Sequence, residues 1–177
     1  MSAAIEYGRA LFLLSEEDGT TETMREDISA LSEILIKNPK YTKLLDTPAV
    51  PKQEKLLLID GALGVLNGNL VNLVKMLCER HSVYLFPSVA SAFAAEYDEA
   101  RGIERVEAVT AIAMTAEQIS AIKAKLTALT GKTIVLKNTI DPGILGGVKL
   151  RYSGIQLDGS VKTRLDRFER SLKSVVL

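Results

Sequence analysis

Three groups of residues in this 177-residue chain have the types and spacing to do chemistry. The stretch GILGGVKLRYSGIQLDGS, Gly143 to Ser160, sets five glycines among alternating Val, Leu and Tyr, a composition that could wrap a phosphate. Cys78 and His81, each the only residue of its type, stand three apart, as a thiol and its base could on one helix. Glu16-Glu17-Asp18 and the trio Glu96, Asp98 and Glu99 gather carboxylates that could share acid and base work.

Each group fails a specific requirement. A P-loop follows its last glycine with Lys and then Ser or Thr, so that amides, ammonium and a magnesium-binding hydroxyl converge on phosphates; here Gly147 is followed by Val148. A dinucleotide fingerprint lies between a strand and a helix, whereas Gly146 and Gly147 open a strand. Gly143-Ile144-Leu145-Gly146 has the G-x-x-G form of a KH loop, but that loop joins helices beside a basic surface. The glycines therefore read as corners of a small sheet. A nucleotide- or RNA-binding loop at Gly143 to Gly147 is the alternative. The Cys78/His81 pair lacks a third group to orient it, and reads as a core thiol with a histidine in the last helical turn, where its charge suits the dipole. The carboxylates fall at helix ends or exposed faces, with nothing apolar to raise their pKa values. No catalytic residue, metal site or cofactor is expected.

The elements that carry these residues follow from periodicity. The chain is 47% hydrophobic, enough for a well-buried core, and Lys plus Arg and Asp plus Glu are 22 each, without the basic excess of a nucleic-acid binder. A single cysteine excludes an internal disulfide. The N-terminal stretch places Glu6 early and has no basic leader before an apolar core, so no signal or transit peptide is expected. No apolar run is long enough to cross a bilayer, and any membrane association is expected through a partner.

Up to about Arg101 the pattern is helical. Tyr7, Ala10, Leu11 and Leu14 share one stripe, ended near Asp18-Gly19. Met24, Ile28, Leu31 and Leu35 share the next, with Thr23 and Glu26 at capping-box spacing. A short helix holds Tyr41, Leu44 and Leu45. Further helices begin near Pro51 and after Asn67-Gly68-Asn69, and another carries Val89, Phe93 and Tyr97 before Gly102. Five or six helices with short loops make a compact bundle.

After Gly102 the period changes. RVEAVTAIAM, Arg105 to Met114, reads as a half-buried strand with Val106, Ala108, Ile112 and Met114 on one parity. A helix follows, with Thr115 and Gln118 as a capping box, a stripe of Ile119, Ile122, Leu126 and Leu129, and Gly131 at its exit. TIVLKNTI is a second strand. Asp141-Pro142-Gly143 is a turn in which Pro fixes one dihedral and Gly permits another. Val148, Leu150 and Tyr152 mark a third strand, and IQL forms a hairpin with it across Ser153-Gly154. Asp158-Gly159 turns the chain into a last helix capped by Ser160, striped by Val161, Leu165, Phe168 and Leu172.

The zero net charge hides two halves. Residues 1 to 104 carry 10 basic and 16 acidic side chains, a net of −6, and residues 105 to 177 carry 12 and 6, a net of +6. Either each half is kept soluble by its own charge, or each meets an oppositely charged partner.

Three motifs resemble the delta subunit of F-type ATP synthases, the oligomycin-sensitivity-conferring protein of mitochondria. They are GGVKLRYSGIQLDGSVKTRLDRFERSL, Gly146 to Leu172; YGRALFLLSEE, Tyr7 to Glu17; and NLVKMLCERHSVYLFPSV, Asn72 to Val89. The resemblance spans nearly the whole chain, and its C-terminal motif is the most specific. Two departures stand out. Ser153-Gly154 replaces the family's glycine and acid, and Tyr7-Gly8 replaces tyrosine-alanine. A glycine inside a helix costs about 1 kcal/mol against alanine, which a close backbone approach would explain.

The resemblance implies an α+β fold. A six-helix N-terminal bundle (residues 1 to 104) precedes a small domain (residues 105 to 177) of order strand, helix, strand, strand, strand, helix. It implies a non-catalytic stator subunit, one copy per complex, held peripherally at the cytoplasmic face of the bacterial inner membrane through the ATP synthase. There it would resist rotor torque while ATP synthesis is coupled to proton transport. Its expected partners are the catalytic head, through the N-terminal helix of the alpha subunit, and the b subunit of the peripheral stalk; neither nucleic acid nor direct membrane insertion is expected. The alpha-subunit helix would lie between the first and fifth helices, with Tyr7, Ala10, Leu11 and Leu14 on one wall and Leu73, Met76, Leu77 and Arg80 on the other. Both stripes also fill the bundle core, so some of these residues are structural. Lys149, Arg151, Arg164 and Arg167 would offer positive charge to the stalk. Gly143, Gly146, Gly147, Gly154, Asp158, Gly159 and Ser160 are expected as structural turns and cap.

Overall fold

The computed structural model describes residues 3–144, 146–152 and 155–158. The chain divides into two compact units, Met1–Asp98 and Glu99–Leu177. The α+β class read from the sequence holds.

The first unit contains α1 (Ala3–Glu17), α2 (Thr21–Lys37), α3 (Pro39–Asp46), α4 (Lys52–Leu63) and α5 (Gly68–Glu79). A single 3-10 turn, Val83–Leu85, then leads into α6 (Phe86–Ala100). One core joins them. Met24, Ile28, Leu31 and Leu35 of α2 are all buried, as the three-four spacing requires, together with Leu45, Ile59, Leu70, Val74, Leu77, Val89 and Phe93. Phe12 of α1 meets Phe93 of α6 edge to face, with ring centroids 5.9 Å apart.

Gly8 explains the departure at the start of α1. A Cβ there would stand 2.5 Å from the Ala92 Cβ and 2.7 Å from the Val89 carbonyl oxygen of α6. Only glycine lets the two helices approach so closely.

Two helices end by the same device with different residues. At the end of α1, Gly19 is left-handed (φ 66°), Thr20 N–H donates to Ser15 O at 2.8 Å and Gly19 N–H to Glu16 O at 3.2 Å. This is a Schellman arrangement. At the end of α5, His81 takes the left-handed place (φ 51°), with Ser82 N–H donating to Leu77 O at 2.9 Å and His81 N–H to Cys78 O at 3.1 Å. His81 is thus beyond the helix, not in its last turn; its ring Nδ1 lies 2.9 Å from Asp46 O, a contact that offsets the backbone strain.

The capping box expected at Thr23 and Glu26 does not form. Helix α2 starts three residues earlier than that box would set it, at Thr21, whose hydroxyl donates to Glu16 Oε1 at 2.7 Å. The Met24 N–H, which a cap at Thr23 would leave at the first helical position, already donates to Thr20 O at 2.8 Å.

The second unit contains β1 (Ile103–Thr110), α7 (Ala116–Thr130), β2 (Thr133–Ile140), β3 (Val148–Tyr152) and β4 (Ile155–Asp158). The sheet order is β2-β1-β3-β4. Strands β1 and β2 are parallel, as a strand-helix-strand crossover allows, with Val106 opposite Leu136; β3 is antiparallel to β1, and β4 to β3. Tyr152 pairs with Ile155, so β3 and β4 form the expected hairpin. Helix α7 covers one sheet face, packing Ile122 and Leu126 on Val106, Ile134, Leu136, Leu150 and Tyr152. Its capping box is present: Gln118 N–H donates to Thr115 Oγ1 and Thr115 N–H to Gln118 Oε1.

Three expectations are corrected here. Strand β1 stops at Thr110 and not at Met114, because Asp141 N–H takes Thr110 O at 2.9 Å and the Thr110 hydroxyl donates to Ile112 O at 2.7 Å. Ile112 is then 78% exposed, and Met114 N–H is held instead by Asn138 Oδ1 at 2.9 Å. Leu129 is 82% exposed: three residues beyond the buried Leu126 it falls about 60° round the helix, at the edge of the face that α7 turns to the sheet. Gly143 does not have a left-handed φ. Its N–H donates to Asp141 Oδ1 at 2.9 Å, and a Cβ would approach that oxygen to 3.1 Å; the turn depends on the Asp side chain. The positive φ values fall at Gly146 and Gly147, where the chain, having crossed the end of β1, enters β3. The last helix expected after Ser160 lies outside the described residues.

Candidate partner-binding surfaces

Helices α1 and α5 pack side by side, and two side-chain bonds fix their relation. Arg80 Nη1 donates to the Tyr7 hydroxyl at 3.0 Å, and Asn69 Nδ2 donates to Asp18 Oδ2 at 3.1 Å. The start of α1 thus meets the end of α5, and the reverse, so the helices are antiparallel. Between the two clasps runs a seam.

Its floor is closed. Leu11, Leu73 and Leu77 are buried in the core, so these three of the eight expected groove residues hold the unit together and are not free to meet a partner. Tyr7 and Met76 are half-buried against that core. Ala10 and Arg80 are exposed, and Leu14 is 44% exposed. Tyr7, Ala10, Leu14 and Glu17 lie at helical spacing along the flank of α1 that faces α5, and Asn69, Leu73, Met76 and Arg80 do the same on α5. What remains open is an apolar strip over a packed floor, about 15 Å from Tyr7 to Glu17 at the helical rise.

The sequence did not reveal the polar clasps, because hydrogen bonds spanning 73 and 51 residues leave no local signal. A second apolar hollow was also missed. It has a volume of about 610 Å³ and lies among Ile36, Pro39, Thr42, Val83, Tyr84 and Pro87. Ile36, one residue beyond the buried Leu35, was its only trace in the sequence.

The suspected chemical pair dissolves into structure. Cys78 Sγ donates to Leu45 O at 3.3 Å within the core, and burial pushes its thiol pKa up, away from the thiolate a nucleophile needs. Lys55, only 3% exposed, donates its ammonium to Thr47 O, tying the α3–α4 loop to α4. Glu16 and Asp18 serve the Thr21 and Asn69 contacts already described, and Glu96 faces Arg9 at 3.9 Å.

In the second unit Lys149 and Arg151 alternate with Leu150, on the sheet face opposite α7. Both charges have partners: Arg151 Nη1 is 3.5 Å from Glu107 Oε2, and Lys149 Nζ is 3.6 Å from Asp158 Oδ2. The Glu107 carboxyl is held below its ordinary pKa, chiefly by the Thr139 hydroxyl that donates to it at 2.7 Å and then by Arg151 and Lys137. Asp158 ends β4. Gly154, Gly159, Ser160, Arg164 and Arg167 lie outside the described residues. Beside Gly146 and Gly147 is a hollow of about 730 Å³, bounded by Ile112, Met114 and Ile122. No basic side chain is among its described lining residues, which is unlike a phosphate cradle.

The family model described as "ATP synthase delta (OSCP) subunit" matches residues 3–172. The chain belongs to the ATP synthase delta (OSCP) subunit family. It is 32% identical over 170 residues to "ATP synthase subunit delta" of Geobacillus sp. (strain WCH70), with 96% of both chains covered. To the subunit of the same description in Myxococcus xanthus (strain DK1622) it is 28% identical over 177 residues, covering 98% of this chain and 97% of that one. Its structure is similar to a chain of the "Cryo-EM structure of Toxoplasma gondii mitochondrial ATP synthase hexamer", with a TM-score of 0.74 and 24% identity over 97% of this chain and 98% of that chain. The likeness to that chain is one of fold.

Proposed function

We propose that the chain is the stator link of an F-type ATP synthase, with a helical unit that holds the catalytic head and a sheet unit that holds the peripheral stalk. Membership of the delta (OSCP) family makes it a subunit of that complex, and its work there is mechanical. When the central shaft turns, an unheld head would turn with it, and catalytic conformations follow shaft angle only if the head stays still. Binding supplies that restraint. No bond is made or broken by this subunit, and one copy serves each complex.

The amphipathic N-terminal helix of the alpha subunit would lie along the α1–α5 seam, its apolar anchors against Tyr7, Ala10, Leu14 and Met76. The single observation that supports this is the open strip itself: apolar side chains at helical spacing, exposed or half-exposed, above a floor that is already packed. A preformed floor keeps the ordering cost of binding low. The b subunit of the peripheral stalk would meet the second unit, with Lys149 and Arg151 as candidate contacts. Among the described residues no helix is long and apolar enough to cross a membrane, in keeping with a peripheral subunit carried at the cytoplasmic face of the bacterial inner membrane by its complex.

The test is a calorimetric titration of the full chain with the alpha-subunit N-terminal peptide, beside ATP and a short RNA. Heat with the peptide, at an affinity near the nanomolar range of roughly −12 kcal/mol, is the expected result. Heat from ATP or RNA alone would favour the Gly143–Gly147 loop as a ligand site instead.

A further inference from the structure

We propose that the free edge of β2 takes up an extended segment of another chain as a fifth strand, and that the residues of this segment alternate between apolar and acidic. The proposal concerns the sheet unit alone and is independent of the partner contacts proposed above.

The edge is long and open. Strands β2 and β4 bound the sheet, but β4 has four residues and β2 has eight. The register of β2 on β1 runs unbroken from Ile103 and Thr133 to Thr110 and Ile140. Thr133 N–H donates to Gly102 O at 2.8 Å, and just past the far end Asp141 N–H donates to Thr110 O at 2.9 Å. The odd-numbered residues therefore turn their backbone groups to β1, and Ile134, Leu136, Asn138 and Ile140 turn theirs outward. Among the described residues no hydrogen bond satisfies those outward amides and carbonyls. Edges are commonly blunted by short strands, proline, bulges or charge. Strand β2 has only Lys137 for this, and it leaves Val135 40% and Ile140 54% exposed. An edge this long and this lightly guarded is a template for another strand.

The chemistry of the occupant follows from the two faces. Ile134 and Leu136 pack with α7, so alternate side chains of an added strand would extend that apolar layer. The others would lie on the face of Val135 and Lys137. The carboxylates around the edge are already engaged: Glu104 by Lys132 at 2.9 Å, Glu107 by the Thr139 hydroxyl and Arg151, Asp141 by Gly143 N–H, and Glu117 by the Thr115 hydroxyl at the start of α7. Arg105, across from Val135, also has a partner. Lys137, and Lys123 and Lys125 on α7, have no ion pair among the described residues. The unmatched charge is positive, which calls for acid in the occupant. A second β2, paired antiparallel about a twofold axis, would instead set the two Lys137 side chains opposite or diagonal to each other.

The experiment is amide hydrogen exchange, read by NMR on the full ¹⁵N-labelled chain, with an end-blocked octapeptide alternating Val and Glu and a control alternating Val and Lys. In the free chain the amides of Leu136, Asn138 and Ile140 should exchange fast and those of Val135, Lys137 and Thr139 slowly. At saturation the Glu peptide should slow the first set by at least about tenfold, and the Lys peptide should not. Lys137→Glu, at an exposed side chain whose N–H stays on β1, should weaken the Glu peptide by at least about threefold at low salt and favour the Lys peptide. Outward amides already slow in the free chain would show the edge covered from within and would overturn the proposal. So would slowing of both sets alike, equal binding of the two peptides, binding of neither, or a dimer of the free chain in sedimentation equilibrium.

Discussion

Replacing Gly8 by alanine should destabilise the helical unit, although alanine is the better helix former. The propensity gain is about 1 kcal/mol. Against it, the new Cβ would stand 2.5 Å from the Ala92 Cβ, 2.7 Å from Val89 O and 2.8 Å from Phe93 N. Carbon atoms settle at about 3.5 to 4.0 Å, so α1 must retreat from α6 by roughly 1 Å or more. Two of the three opposing atoms are backbone and cannot rotate away. The retreat loosens the Phe12–Phe93 contact and the burial of Ala4 and Leu11. Overpacking of this kind costs about 3 kcal/mol, at the upper end of its usual range, leaving a net loss of about 2 kcal/mol. For a unit of this size that lowers the melting point by roughly 8 to 16 °C. Gly61→Ala is the internal control, since Gly61 also sits within a helix but a Cβ there meets nothing within 4 Å; it should gain up to about 1 kcal/mol. Thermal melts followed by helical circular dichroism read both. A Gly8→Ala protein as stable as the parent would refute the close-approach argument.

Three further outcomes are expected. Asn138→Ala removes bonds to Ala108 O, Thr110 Oγ1 and Met114 N at 2.8 to 2.9 Å and should cost roughly 3 kcal/mol in urea unfolding of the sheet unit; a loss below about 0.5 kcal/mol would show that water replaces the network. Burial raises the Cys78 pKa, so the folded chain keeps the thiol proton longer than the unfolded one does. That contribution is complete below the unfolded thiol pKa of about 8.5 and is lost as pH rises from there through the raised folded value, so urea midpoints should fall less steeply on the alkaline side in Cys78→Ala than in the parent. Arg151→Glu should weaken binding of the b-subunit far end in a salt-dependent way, although part of the effect is the lost Glu107 pair; unchanged affinity at low salt would remove Arg151 from the stalk contact.

Where a side chain's role was set by its own helix or turn, the sequence was readable. The α2 stripe, the Thr115–Gln118 box, the Gly19 and Gly131 helix ends and the β3–β4 hairpin all rest on contacts within a few residues. Gly8 was legible as an anomaly, but its partner Ala92 lies 84 positions away and only the fold supplies it. The seam was half legible. A three-four stripe names the residues on one side of a helix without saying which ones the neighbours cover; Leu11 and Leu14 look alike in sequence, yet one is core and the other open. Lys149 and Arg151 looked like free charge because sheet register, which sets Glu107 and Asp158 beside them, is decided by pairing between distant strands.

On the proposed function this subunit couples two others by binding alone. Size-exclusion chromatography of purified catalytic head with the soluble far end of the b subunit, with and without the full chain, tests it most directly. One complex holding head, chain and b segment, with one chain per head, is expected when the chain is present, and its loss when the alpha subunits lack their N-terminal segments. Head and chain that elute apart, or a complex indifferent to those segments, would contradict it.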